Sequence, residues 1–79
     1  MNNKEKYNAV FMDSFNLKQE DLDQNVSYGS VTEWDSVGHM GMIAELEDIF
    51  SIEFETDDIV DFSDFKKGIS ILKKYGVDI

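Results

Sequence analysis

Ser36 is the residue of this chain best placed to do chemistry. It stands in Trp34-Asp35-Ser36-Val37, and a helix-period apolar run begins immediately after it. The run is Val37, Met40, Ile43, Leu46 and Phe50, spaced by three or four residues. Asp35 reads as the N-cap, since its carboxylate can accept from backbone N–H groups of the first turn. A hydroxyl in that turn sits beside unsatisfied N–H donors and the positive pole of the helix dipole. A phosphate ester formed on it is stabilised there.

Two other constellations are weaker. Ser36, His39 and Asp35 supply a nucleophile, a base and an orienting acid by type. A 79-residue chain leaves little room for a substrate cleft, no oxyanion hole is evident, and Asp35 is better used as a cap. His39 reads as a partly buried helix residue whose ring nitrogen finds a backbone or solvent partner. Asp21-x-Asp23-x-Asn25 matches the first three ligand positions of a calcium loop. The sixth position should be Gly and is Val26; the twelfth should be Glu and is Thr32. No dedicated metal site is expected, only diffuse attraction of divalent cations to acidic surface.

The elements that must position Ser36 fit in one domain, residues 1–79, with a small core. The apolar share of 42% suits a folded chain. Cysteine is absent, so neither disulfides nor thiolate metal sites contribute. Proline is absent too, which favours helices joined by Gly, Asn and Asp turns. No apolar stretch approaches the roughly 20 residues that span a bilayer, and the N-terminus lacks the apolar core of a signal peptide. Stable membrane insertion is not expected, and the expected compartment is the cytoplasm.

The net charge is −10, and it is unevenly placed. Residues 33–64 hold eleven acids and no Lys or Arg, while four of the seven lysines follow that block. Backbone phosphates would be repelled, so nucleic-acid binding is not expected. An acidic face suits partners with basic surfaces, mainly by speeding encounter. It also serves solubility.

Periodicity predicts an all-α, small up-and-down bundle of three main helices and one short one, with a long loop between the first and second. The first helix spans residues 3–16, with Tyr7, Val10, Phe11, Ser14 and Phe15 on one stripe. Residues 17–35 form the loop, anchored by Leu17, Leu22, Val26, Tyr28, Val31 and Trp34, with a turn of helix near Leu22. The second helix spans residues 36–51. A short third covers 56–61, capped by Thr56, and Ser63 caps a fourth over 64–75. Phe65, Ile69, Ile71 and Leu72 face inward there, and Gly76 suits a left-handed C′ position. Ile52, Phe54, Ile59 and Phe62 close the lower end. Gly38 and Gly41 each cost a helix interior about 1 kcal/mol relative to alanine. Three apart, they read as one flat face for close approach to the backbone, or as sequence drift.

Asp35-Ser36-Val37, followed at this distance by Ala44-Glu45-Leu46-Glu47-Asp48-Ile49-Phe50-Ser51-Ile52-Glu53-Phe54, resembles the acyl carrier protein family. That family shows Asp-Ser-Leu, then an amphipathic helix ending in Leu-Glu-x-x-Phe and a short Ile-rich step. Length, acidity, the long first loop and the short helix extend the likeness over nearly the whole chain. Trp34 stands where fatty-acid carriers usually have a small residue. Trp-Asp-Ser with His39 is more similar to discrete carriers of specialised polysaccharide- or polyketide-like pathways. Gly38 and Gly41 replace positions that are commonly acidic, and Val37 replaces Leu.

The resemblance implies that a phosphopantetheinyl transferase attaches 4′-phosphopantetheine from coenzyme A to Ser36. An acyl group then rides as a thioester on the arm's thiol. The chain itself is a non-catalytic carrier, expected to be monomeric and free-standing. Its implied partners are that transferase, an acyl- or aminoacyl-loading ligase, and a downstream transferase or synthase. Docking is expected through Asp35, Val37, Glu45, Glu47 and Asp48. An aminoacyl or D-alanyl carrier, and an acidic interaction domain without a prosthetic group, remain alternatives.

Overall fold

The computed structural model describes residues 2–23 and 26–79, except for the side chain of Asp23. Helix α1, Asn3–Phe15, opens on a capping box. The Asn2 side chain accepts from the Glu5 N–H at 2.8 Å, and the Glu5 carboxylate accepts from the Asn2 N–H at 3.2 Å. The helix stops at Asn16, whose φ of 55° is left-handed, a conformation asparagine tolerates. Tyr7, Val10, Phe11 and Phe15 face inward as the stripe requires; Asn8 is also buried, while Ser14 is half-buried.

Three further helices follow: α2, Ser36–Phe50; α3, Thr56–Asp61; and α4, Phe65–Lys74. Among the described residues there are no strands, so the fold is the small all-α bundle the periodicity predicts. Its shortest axis is 18 Å, which is about two helix diameters and leaves room for a single core layer. Aromatic rings fill that layer. Phe11 lies within 5.5 Å, centroid to centroid, of Tyr7, Phe15, Trp34 and Phe65. A Cβ on Gly68 would fall 2.2 Å from the Phe62 ring and 2.3 Å from the Tyr7 hydroxyl, so the α4 backbone itself packs against those two side chains. The Tyr7 hydroxyl donates to the Phe65 carbonyl at 2.6 Å, and burial pushes its pKa well above the ordinary tyrosine value.

The described residues of the long loop are pinned to the bundle. The loop holds a 3-10 turn, Gln19–Asp23, where a turn of helix is expected, and buries Leu22, Val26 and Trp34. Tyr28 stays about half exposed and is not a core anchor. Its N–H donates to the Ser63 carbonyl, and the Phe65 N–H donates to the Val26 carbonyl, both at 2.9 Å. These bonds stitch the loop to the start of α4.

Two caps differ from expectation by one residue. The α4 cap is Asp64, not Ser63; its carboxylate accepts from the Lys67 N–H at 2.6 Å. The α3 cap position is Glu55, not Thr56, and the Glu55 side chain makes no cap bond, while its N–H donates to the Tyr75 hydroxyl at 2.9 Å. That helix is held instead by buried Asp58, which accepts from the Lys74 ammonium at 2.6 Å and from the Tyr75 hydroxyl. Lys74, then Tyr75, holds the Asp58 carboxyl below the ordinary aspartate value. Lys73 and Lys74 occupy the last turn of α4, and Gly76 adopts the expected positive φ of 82°.

The buried stripe of α2 also differs. Met42, Ile43 and Leu46 are buried, whereas Val37 is 81% exposed and Met40 52% exposed. Each residue turns an α-helix by about 100°, so a step of three falls about 60° short of a full turn. The three successive steps from Val37 to Leu46 therefore carry the run from the outer face to the inner one. The inward set is half-buried His39 with Met42, Ile43, Leu46 and half-buried Phe50.

Candidate functional site

Ser36 is exposed at the first position of α2. Asp35 caps it as expected: its Oδ1 accepts from the Gly38 N–H at 2.8 Å, and its carbonyl accepts from the His39 N–H at 2.8 Å. The N–H groups of Ser36 and Val37 have no partner among the described residues, which leaves the start of a 15-residue helix open to an anion.

Trp34 fixes the approach to this turn. Its ring is fully buried, stacked on Phe15 at 5.0 Å and edge-on to Phe11 at 5.4 Å. Gly38 completes the seat. A Cβ there would lie 2.0 Å from the Glu33 carbonyl oxygen and 3.4 Å from Phe15 Cε1. The loop thus closes on the helix only because residue 38 has no side chain. Gly41 differs, since a Cβ there would meet open space. The two glycines do not form one face. Gly38 packs against the loop, whereas Gly41 lies on the exposed stripe of Val37, Ala44 and Asp48.

His39 bonds to neither Ser36 nor Asp35. The Trp34 indole N–H donates to its Nδ1 at 2.9 Å, and its Nε2 lies 2.8 Å from the Ile59 carbonyl. An indole nitrogen only donates and a carbonyl only accepts, so the ring is the neutral tautomer with its proton on Nε2. Among the described residues, no base is hydrogen-bonded to the Ser36 hydroxyl.

Beside Ser36 opens a cleft of about 430 Å³, lined by Tyr28, Ser36, His39, Met40, Ile59, Val60, Phe62 and Ser63. Its walls are mainly apolar, and exposed Tyr28, Met40 and Val60 (75% exposed) border it. Sequence reasoning does not find this wall. An exposed valine in acidic α3 is the one local signal, and only the fold brings it to the serine.

The side chains expected to meet partners divide in two. Val37 and Asp48 are exposed on the outer stripe of α2. Glu45 and Glu47 are half-buried and engaged within the chain. Glu45 lies 3.5 Å from the Ser14 hydroxyl, and Glu47 accepts from the Phe54 N–H at 2.9 Å. Asp21 accepts from the Lys18 N–H at 2.9 Å, while the Asp23 side chain and Asn25 lie outside the described residues. Among the described residues, no three His, Cys, Asp or Glu side chains are placed to hold a metal ion. No described helix is long and apolar enough to cross a membrane. No family model matches the chain, and no curated protein sequence matches it.

Proposed function

We propose that this chain is a carrier protein: 4′-phosphopantetheine is joined to Ser36 by a phosphodiester, and an acyl group is carried on it to partner enzymes. The observation that best supports this is the setting of Ser36. It is an exposed hydroxyl at an open helix start, on the rim of an apolar cleft, with Asp35 already used as the cap. When bound, the group supplies the thiol, held as a thioester with cargo, that a chain without cysteine lacks.

The residues present fit that group. Ser36 would carry the phosphate, and the N–H groups of Ser36 and Val37 would face its charge. In the transferase, the Ser36 oxygen would bond to the pantetheine-side phosphorus of coenzyme A as the pyrophosphate P–O bond breaks; the nucleotide would leave with the bridging oxygen, and the hydroxyl proton would pass to a base of the transferase. Trp34 and Gly38 hold the turn still for that attack. The carrier adds an address and a raised effective concentration of cargo, not catalysis.

The partners follow from the surface. The transferase, a loading ligase and a downstream transferase or synthase would meet the outer stripe of α2, where Val37 offers apolar contact and Asp48 offers charge. Trp34 and His39 favour a specialised, polysaccharide- or polyketide-like pathway, on sequence likeness. Incubation with coenzyme A, magnesium and a broad-specificity transferase tests the proposal by intact mass. A gain of one phosphopantetheine is expected. No gain under conditions that modify a control carrier refutes it, and leaves the acidic interaction domain as the better reading.

A further inference from the structure

We infer that His39 is a positioning residue that bolts the seam between α2 and α3, so that cargo carried at Ser36 stays outside the helical core. The inference rests on the carrier reading above and places the cargo: any alkyl part lies in the open apolar cleft beside Ser36, not between the helices.

The seam lies on the floor of the cleft. His39 comes from α2 and Ile59 from α3, and both line the space beside Ser36. The His39 Nε2–H donates across the seam to the Ile59 carbonyl at 2.8 Å, while Nδ1 accepts from the Trp34 indole at 2.9 Å. One ring thus ties the loop, α2 and α3 together. Tyr28 and Phe62 flank it edge-on, with centroids 5.8 and 6.2 Å away. Behind it lie aromatic rings. Trp34 and Phe62 are buried, and Trp34 stacks on Phe15.

An alkyl chain passing from Ser36 into the bundle would have to turn the His39 ring out. The buried Trp34 N–H and the Ile59 carbonyl would then lose their partners. It would also have to part an aromatic layer packed at close contact. An alkyl chain can instead cover its apolar surface in the open cleft beside Ser36 without moving His39, and a short or polar group has little to gain from entry.

The test loads the full chain with acetyl-, butyryl-, octanoyl- and dodecanoyl-phosphopantetheine, transferred from the corresponding coenzyme A thioesters. Intact mass checks each product. Two readouts follow: the melting temperature, and the position of the indole N–H resonance, which is single because Trp34 is the only tryptophan. The wild-type chain should show an indole resonance that does not move with chain length, and any rise in melting temperature without that movement places the alkyl chain in the open cleft, as inferred. His39→Ala should show an indole resonance that moves, and a melting temperature that rises, with chain length. A wild-type series that rises from acetyl to dodecanoyl, with the indole resonance displaced, overturns the inference while leaving the carrier reading intact. A flat series in both proteins overturns the role of His39 and assigns exclusion to the aromatic packing. Should His39→Ala not fold, the wild-type series alone decides whether cargo enters. Absence of any mass gain refutes the carrier reading itself.

Discussion

Alanine at position 38 should unseat the turn that presents Ser36. Two effects compete. Replacing glycine in a helix interior gains about 0.5–1 kcal/mol. Against this, the new Cβ would lie 2.0 Å from the Glu33 carbonyl oxygen and 3.2 Å from its carbon. The carbonyl must withdraw by roughly 1.5 Å to reach ordinary van der Waals separation. Trp34, the next residue, is fully buried and cannot follow freely. Overpacking of this kind costs about 1–3 kcal/mol, so the net loss should be about 1–2 kcal/mol. For a domain of this size that lowers the melting temperature by about 5–15 °C. Gly41→Ala is the internal control. Its Cβ meets nothing within 4 Å, so it should raise the melting temperature by about 2–8 °C. Thermal melts of both variants by circular dichroism, at one pH and salt concentration, make the comparison. If Gly38→Ala melts at or above wild type, the loop at Glu33 yields freely and Ser36 is not rigidly seated.

The acids provide three further tests. Asp58 has a folded-state pKa below the ordinary aspartate value, so its ion pair stabilises the fold above about pH 4 and is lost as pH falls through the folded value. Asp58→Asn should be less stable near neutrality and should lose less stability between about pH 5 and pH 3; parallel pH profiles for the two proteins would refute this. Stability should rise with salt or millimolar divalent cation, because the eleven acids of residues 33–64 repel one another; a melting temperature indifferent to both shows that they are too dispersed to matter. Glu47→Ala should cost about 1–2 kcal/mol by orphaning the Phe54 N–H, seen in urea unfolding. Asp48→Lys should leave stability nearly unchanged and slow association with a basic transferase at low salt, and the reverse pattern would exchange their roles.

Local chemistry made much of this molecule legible from sequence. Asp35 and Ser36 mark a helix start because a cap acts on its own first turn. The α1 stripe and Gly76 are read for similar reasons. The cap of α4 slipped by one residue because Ser63 and Asp64 are both good caps, and only the chain path selects between them. The outward turn of Val37 and Met40 follows from helix geometry, which repeated three-residue steps conceal. The remaining misses are tertiary. Gly38 matters because a loop carbonyl five residues earlier folds back on it. His39 is fixed by partners five and twenty residues away. Glu47 reads as a docking charge from its place in the helix, yet its carboxylate accepts from the Phe54 N–H. The cleft wall joins Tyr28, Met40 and Val60, which no spacing rule relates.

The central claim is that Ser36 carries the prosthetic group, and peptide mapping tests it most directly. The wild-type chain and Ser36→Ala are each treated with coenzyme A, magnesium and a broad-specificity transferase, digested, and sequenced by tandem mass spectrometry. The account predicts one modified peptide in the wild type, with the added mass on Ser36, and none in the variant. Modification that persists in Ser36→Ala, or that maps to Ser14, Ser27, Ser30, Ser51, Ser63 or Ser70, would contradict it.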